Sequence, residues 1–185
     1  MSGDTDATGR QLIHRRQVEC LGYLRADGLW DIEGRLSDSK THSVPLNSGR
    51  YLEAGQDYHG MLIRLTVDDE FIIHEVDVQM PSVPTSECSG AAAAYAKLIG
   101  VRIGPGFSRR IKELFGGPGG CTHLTELLLP IATTAYQTIP MGRAMVAPRN
   151  AEDTQAYARA TGTLVNTCFA LRTDGPIAIN MNKTE

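Results

Sequence analysis

The strongest chemical signal in the sequence is a glycine-rich segment that leads into a cysteine and a histidine. Residues 116–120 read Gly-Gly-Pro-Gly-Gly, and Cys121, Thr122 and His123 follow directly, where a helix is predicted to begin. The positive end of a helix dipole favours a thiolate, so Cys121 is a candidate nucleophile or metal ligand. His123 is a candidate base or second ligand. The alternative is a glycine loop with a buried cysteine and a capping histidine.

Cys88 is a second candidate, because it also lies near the start of a predicted helix. If the two helix starts meet, Cys88, Cys121 and His123 offer three ligands suited to zinc or iron, with an aspartate from a strand turn as the fourth. No two cysteines have Cys-x-x-Cys spacing, so this divalent-metal hypothesis depends on the two helices converging. Taken alone, Cys88 is equally typical of a small buried hydrophobic residue.

Further polar candidates stand where predicted strands begin or end. Asp38 follows the second predicted strand, His59 opens the third, and Tyr58 directly precedes His59. An aspartate in this position can ligate a metal, and a tyrosine or histidine can act as an acid or base. The same residue types are also common at turns and on surfaces.

The first half of the chain predicts an antiparallel β-meander. Asp27-Gly28 between two β-prone segments is a hairpin signal, and Asp68-Asp69 is expected to turn between two strands rich in β-branched residues. The predicted strands cover residues 13–24, 29–36, 59–67 and 70–79. The polar segment 37–56 between them is predicted to be an irregular loop that covers a pocket, where Tyr58 or Trp30 could stack on a ring.

The second half predicts helices. They cover residues 86–99, 109–115, 122–138 and 151–160, with a linker at 140–148 and a last strand at 164–171. Ser86, Ser108 and Thr122 are the expected N-caps, and Pro81 is expected to end the sheet. Strands followed by helices predict an α+β fold, with the helices packed on one face of the sheet. We expect one domain over residues 13–175, with tails at 1–12 and 176–185.

Composition argues against several classes of function. The formal net charge is −3, and no segment of about 18 apolar residues could span a membrane. The basic clusters His14-Arg15-Arg16 and Arg109-Arg110 are more typical of a solvated face or a local anion contact than of a nucleic-acid track. Residues 1–10 lack the apolar core of a signal peptide, so we expect a cytoplasmic protein with reduced cysteines.

Several of these segments together resemble a bacterial family catalogued as domain of unknown function 2889. The resemblance covers most of residues 13–171, and Gly-Cys-Thr-His-Leu at 120–124 is its most specific element. The other matching segments are His14-Arg15-Arg16, residues 30–40, residues 62–68, Pro84 with Cys88, residues 98–100 and Gly106-Phe107. The resemblance implies a role in bacterial catabolism of aromatic compounds.

The order of elements is also similar to that of iron–sulfur scaffold proteins of the NifU type. That likeness implies that Cys88, Cys121 and His123 converge on zinc or a cluster, with Asp38 as a fourth ligand. The sequence departs from the scaffold pattern, because no cysteine lies in the first loop and the histidine follows its cysteine instead of preceding it.

Three functions are compatible with these features. The first is a small-molecule enzyme, in particular a lyase that cleaves a carbon–carbon bond and releases a small aldehyde such as formaldehyde from a lignin-type aromatic compound. His123, Cys121, Tyr58 and His59 are its candidate catalytic residues. The second is a metal or iron–sulfur carrier, and the third is a binding module without catalysis. The apolar helix after Cys121 could belong to the core or form the seam of a homo-oligomer.

Overall fold

The computed structural model describes residues 8–46, 49–146, 165–166 and 168–176. The chain divides into two compact units, residues 1–135 and residues 136–185. The first unit contains a β-sheet and all the side chains of the candidate site. In the second unit, the side-chain oxygen of Asn166 accepts hydrogen bonds from the main-chain N–H and the hydroxyl of Thr173, both at 2.9 Å.

The described residues of the first half form six strands, and four of these strands make one antiparallel sheet. The strands are β1 (His14–Leu24), β2 (Trp30–Lys40), β3 (Val44–Pro45), β4 (Tyr51–Leu52), β5 (Asp57–Val67) and β6 (Ile73–Ser82). The sheet order is β1-β2-β5-β6, and β3 pairs with β4 as a separate ribbon. The predicted antiparallel meander is confirmed.

The two predicted turns join neighbouring strands as expected. Gly28 has φ of 85°, a left-handed conformation that a glycine adopts without strain. The carboxylate of Asp68 accepts hydrogen bonds from the main-chain N–H groups of Glu70 and Ile72, both at 2.9 Å. The main-chain angle of Gly28 and the hydrogen bonds to Asp68 are local features, which explains why both turns could be predicted from the sequence.

Two predictions about the strands were wrong. The segment 37–56 is partly regular, since β2 continues to Lys40 and β3 pairs with β4. The last strand begins at Ile73 rather than at residue 70, and it runs through Pro81 to Ser82. Pro81 is tolerated because β6 lies at the sheet edge and its pairing with β5 is irregular at that point.

The helical segments follow the sheet. A 3₁₀ helix covers Ser86–Leu98, α1 covers Phe107–Phe115, a short 3₁₀ turn covers Gly117–Gly119, and α2 covers Thr122–Val146. The first predicted helix is therefore present in 3₁₀ form. The helix α1 begins before Ser108, after Gly106 with φ of 88°, so Ser108 is not its cap.

The end of the helical half differs most from prediction. The helix α2 continues through Pro130 and Pro140, so the predicted linker is helical up to Val146 and its last residues lie outside the described part. Residues 169–171 form a 3₁₀ turn instead of a strand. The helix predicted at 151–160 lies outside the described residues.

The core lies between the sheet and α2. Trp30, Ile32, Gly34 and Leu36 alternate with more exposed residues along β2, so every second residue of this strand is buried. A methyl group on Gly34 would lie only 2.5 Å from Cδ1 of Ile131, which shows how closely α2 approaches the strand. The structure is therefore the predicted α+β fold. None of the helices in the described residues combines the length and apolar character needed to cross a membrane.

Candidate active site

A row of three polar residues crosses the sheet at the end of β2. Arg16 on β1 lies directly opposite Asp38, and Asp38 lies directly opposite His59 on β5. Asp38 continues the buried alternation of β2, so the row faces the same side as the core. Since side chains alternate between the faces of a strand, His14 shares this face with Arg16.

A β-bulge lies beside this row. Asp38 pairs with His59, but Ser39 pairs with Asp57, so Tyr58 is an extra residue in β5. A bulge bends the strand and redirects the side chains next to it. Here the rings of Tyr58 and His59 meet edge to face with centroids 4.8 Å apart. The sequence analysis named both residues, and the bulge explains why two neighbours on a strand lie together.

Asp38 is the centre of the site. Its side chain is 1% exposed, and the guanidinium of Arg16 donates from Nε to Oδ1 and from Nη2 to Oδ2, each at 2.8 Å. His59 Nδ1 lies 3.0 Å from Oδ2, and His14 Nε2 lies 3.2 Å from Oδ1. Burial raises the pKa of this carboxyl, but the hydrogen bonds from Arg16 and His59 outweigh burial and lower the pKa to about 2. Asp38 is therefore a carboxylate at neutral pH.

The helix α2 brings a further imidazole to this carboxylate. Ile131 lies over Gly34, four residues before Asp38 on β2, and His123 lies eight residues before Ile131 on α2. Eight helical residues rise about 12 Å and four strand residues about 13 Å, so the first turn of α2 reaches Asp38. His123 Nε2 lies 3.6 Å from Asp38 Oδ2.

The imidazoles of His59 and His123 are in contact beside Asp38, with their rings tilted against each other. The ring centroids of His59 and His123 are 3.8 Å apart, with an angle of 33° between the planes. The pKa of His123 lies below its usual value, first because the ring is partly buried, and then because His59 and Arg16 are close. We call His14, Arg16, Asp38, His59 and His123 the Asp38 cluster.

Arg16 connects the cluster to a second carboxylate. Its Nη1 donates to Oε2 of Glu126 on α2 at 2.7 Å. Arg16 therefore bridges the edge strand β1, the carboxylate of β2 and the helix α2. The sequence analysis left a local anion contact open for the His14-Arg15-Arg16 segment, and Arg16 makes such a contact.

Cys121 lies at the edge of the cluster, and among the described residues the group of converging ligand atoms does not include Cys88. Cys121 Sγ is 3.9 Å from Nδ1 of His123. The Cys88 thiol contacts the hydroxyl of Thr85 at 3.5 Å. Trp30, a candidate for stacking on a substrate ring, is 3% exposed and donates to Asp69, so it belongs to the core.

Three residues of the cluster form a group that could hold a metal ion. Ligand atoms of Asp38, His59 and His123 all lie within 4.8 Å of one another. The sequence analysis named all three, Asp38 and His123 as metal ligands and His59 as a catalytic residue. Among the described residues, this group contains no cysteine, so its ligands differ from the set of Cys88, Cys121, His123 and Asp38.

The two basic residues that face Asp38 from β1, His14 and Arg16, were not predicted from the sequence as part of the site. One signal was available, because the alternation Trp30, Ile32, Gly34, Leu36 places Asp38 at the next buried position. A buried carboxylate requires a partner, and the nearby His14 and Arg16 were the basic residues in reach of the predicted hairpin. No local pattern pointed to Glu126 as the second partner of Arg16.

The fold and the site together define an α+β domain with a buried carboxylate surrounded by imidazoles and a guanidinium. A family model described as "Protein of unknown function (DUF2889)" matches residues 14–137, which is more than half of the chain. The chain therefore belongs to this family, as the resemblance in its sequence indicated. Every residue of the Asp38 cluster lies within the matched segment.

Two further comparisons returned nothing. No curated protein and no solved structure matches the chain. The likeness to NifU-type scaffold proteins is accordingly not confirmed.

Proposed function

We propose that the protein is a small-molecule enzyme that performs acid–base chemistry at the Asp38 cluster, and that its reaction is a carbon–carbon lyase reaction. The observation that carries the proposal is a buried, ionised carboxylate in contact with two imidazoles that are still partly exposed to solvent. Asp38 is 1% exposed, whereas the side chains of His59 and His123 are 14% and 21% exposed. Imidazoles oriented by a buried carboxylate are a recurrent means of proton transfer in enzymes.

Asp38 supports this role by fixing the tautomer of His59. An ionised carboxylate only accepts hydrogen bonds, so the ring nitrogen that faces it at 3.0 Å, Nδ1, must carry a proton. In the neutral ring, Nε2 then carries the lone pair and can remove a proton from a substrate hydroxyl. Asp38 itself is a poor base, because its pKa is about 2. Its contribution is orientation and negative charge.

In the proposed reaction the protein contributes only proton transfers. His59 removes the proton from a terminal hydroxymethyl group, and the carbon–carbon bond beside that group breaks to release formaldehyde. The electron pair of the broken bond forms a carbon–carbon double bond as an oxygen leaving group departs from the next carbon. The proton from the hydroxyl finally goes to that leaving group. The products are an alkene, formaldehyde and the protonated leaving group, with no oxidant or reductant.

Tyr58 favours an aromatic substrate of the lignin type, and it can serve as a second proton donor. Its ring lies edge to face with His59 at 4.8 Å and offers a surface for a substrate ring. Its phenol has a proton to donate to a departing oxygen. The Cys121 thiol lies 3.9 Å from Nδ1 of His123, so two of the candidate catalytic residues named from the sequence are neighbours.

The test is formaldehyde release from lignin-derived aryl propanoids that carry a terminal hydroxymethyl group. The alkene product is identified by mass spectrometry, and His59→Asn is compared with His74→Asn. His74 is a matched control, because it also lies on a strand and pairs with an aspartate, Asp68, at 2.7 Å. We expect His59→Asn to lose roughly 10²- to 10⁴-fold in rate and His74→Asn to keep the wild-type rate. No formaldehyde from any compound, or equal rates in both variants, contradicts the proposal.

Metal binding is the second candidate function, and the convergence of Asp38, His59 and His123 within 4.8 Å favours it. Two imidazoles and a carboxylate are a donor set suited to zinc and to ferrous iron. When bound, either ion would supply Lewis-acid chemistry. Arg16 occupies both oxygens of Asp38, so a cation would have to compete with the guanidinium, for which Glu126 offers a second partner at 2.7 Å. This competition ranks the metal below acid–base catalysis.

Elemental analysis of protein purified without chelator separates the two candidates. About one equivalent of zinc or iron, lost in His123→Asn but kept in Cys88→Ala, supports the Asp38 ligand set. Loss in Cys88→Ala and Cys121→Ala instead supports the cysteine ligand set and a carrier function. Absence of metal from the wild-type protein leaves acid–base catalysis, and absence of both metal and formaldehyde release leaves a binding module.

A further inference from the structure

The start of α2 receives its hydrogen bonds from a different element of the fold. Tyr95 belongs to the 3₁₀ helix Ser86–Leu98, and its side chain is fully buried. Its hydroxyl lies 2.8 Å from the main-chain oxygen of Cys121 and 3.1 Å from the main-chain nitrogen of the same residue. The hydroxyl of Thr125 is a third partner at 2.8 Å.

These three contacts use the whole hydrogen-bonding capacity of the phenol. A tyrosine hydroxyl has one proton to donate and lone pairs to accept with. It accepts from the N–H of Cys121 and donates to the carbonyl of Cys121, while Thr125 donates to it. The same carbonyl accepts the N–H of Thr125 at 2.9 Å, at the first turn of α2. Tyr95 therefore holds both main-chain groups of the residue that precedes the helix.

The phenol is closely packed at this junction. Its ring stacks on Phe115, with centroids 4.4 Å apart and 15° between the planes. A methyl group on Gly120 would lie 2.9 Å from Cβ of Phe115 and 3.0 Å from the Tyr95 hydroxyl. The glycine at position 120 is thus needed for this packing, and it brings the main chain against the phenol.

The junction held by Tyr95 leads directly to the Asp38 cluster. His123 is two residues beyond Cys121, its Nδ1 lies 3.9 Å from the Cys121 thiol, and its Nε2 lies 3.6 Å from Asp38. We infer that Tyr95 is a positioning residue, which fixes His123 against Asp38 through the main chain of Cys121. This role goes beyond the proposed function, because it holds for proton transfer and for metal binding alike.

The test compares Tyr95→Phe with Leu98→Val. Both residues are fully buried in the same 3₁₀ helix, but only the first substitution removes the hydroxyl. Two-bond ¹⁵N–¹H correlation spectra at neutral pH report the tautomer of each histidine ring, with His74 as the internal reference. We expect Tyr95→Phe to shift the His123 signals and to leave those of His74 unchanged. Leu98→Val should lower stability without shifting His123.

Alkylation of Cys121 by iodoacetamide is the second readout. Without the phenol the junction opens, so Cys121 should react about threefold faster in Tyr95→Phe, measured by peptide mass spectrometry against the exposed Cys168. If both the His123 spectrum and the Cys121 rate match those of the wild type, the inference is overturned. Should Tyr95→Phe fail to fold, Thr125→Val removes only one of the three contacts. It should shift both readouts in the same direction, and no shift in either overturns the inference.

Discussion

Two clusters of charged side chains lie at opposite ends and on opposite faces of the same sheet. In the Asp38 cluster, one buried carboxylate faces a guanidinium and three imidazoles. In the second cluster, which we call the Arg25 cluster, the hydroxyl of Thr66 donates to Asp31 at 2.7 Å and Arg25 faces Asp31 and Glu75 at 3.5 Å and 3.3 Å. Thr66 is fully buried.

The two clusters have a similar architecture, but they differ in whether their side chains can gain or lose a proton near neutral pH. Each crosses neighbouring strands and satisfies a buried polar group, which stabilises the register of the sheet. The Arg25 cluster contains a guanidinium and a hydroxyl, groups that do not gain or lose a proton near neutral pH. The Asp38 cluster contains imidazoles, which do. The comparison separates a polar cluster that stabilises the fold from one that can also transfer a proton.

Asp38→Asn should produce the largest difference between the clusters. It leaves the fork of Arg16 without a carboxylate, and we expect the free energy of unfolding to fall by about 2 kcal/mol. The tautomer of His59 is no longer fixed, so formaldehyde release should fall roughly 10³-fold. Urea denaturation and the formaldehyde assay measure the two effects.

Thr66→Val is the matched change in the Arg25 cluster. Removing a buried hydroxyl that donates to Asp31 should cost about 1–2 kcal/mol of stability and leave formaldehyde release unchanged. Comparable losses of activity in Thr66→Val and Asp38→Asn would break the comparison, since both clusters would then act only through stability.

Gly34→Ala probes the contact that joins α2 to the sheet. The added methyl group would meet Cδ1 and Cγ1 of Ile131 at 2.5 and 2.7 Å, so we expect a loss of about 1–3 kcal/mol. Because the helix would be pushed away from β2, activity should also fall, whereas the Arg25 cluster on the other face keeps its contacts. The double variant Gly34→Ala/Ile131→Val should recover part of the lost stability, as measured by urea denaturation. If the losses of the two single variants simply add in the double variant, the two residues do not clash.

The smallest expected effect is a pH dependence at the Arg25 end of the sheet. Burial raises the pKa of Asp68, but hydrogen bonds from His74, Ile72 and Glu70 outweigh it and lower the pKa below its ordinary value. A carboxyl with a lowered folded pKa contributes stability above its unfolded pKa of about 3.9 and loses it as the pH falls through the folded value.

Asp68→Asn should therefore reduce the free energy of unfolding by about 1 kcal/mol above pH 5, and the difference from the wild type should shrink below about pH 4. Thermal denaturation across this range measures it. A difference that stays constant with pH would show that ionisation of Asp68 contributes nothing, and that the turn depends on shape alone.

The elements predicted correctly are those that local chemistry specifies. Asp27-Gly28 and Asp68 organise the two turns through their own side chains and main-chain angles, so the meander followed from short segments. The predicted linker at 140–148 is wrong up to Val146, because α2 continues through Pro140. A proline removes one N–H from a helix, and tertiary packing can outweigh that loss.

The candidate site was only partly predictable, because it depends on register. Asp38, His59 and His123 were all named, but the sequence does not show the extra residue in β5 that sets Tyr58 beside His59. The grouping with Cys88 assumed that two helix starts converge, and helix packing is decided by distant contacts such as Gly34 with Ile131. The convergence of Asp38, His59 and His123 therefore became apparent only in the structure.

The position of β1 has a consequence for the dynamics of the site. Within the part of the chain that the structure describes, this strand pairs only with β2, and nine of its eleven residues are exposed. Edge elements with little buried surface open locally at free energies below that of global unfolding. Because His14 and Arg16 belong to β1, each opening would take an imidazole and a guanidinium away from Asp38 while the core stays folded. Amide hydrogen exchange of β1 should thus report the lifetime of the assembled site. The Arg16–Glu126 ion pair connects β1 to α2, and it should slow this local opening.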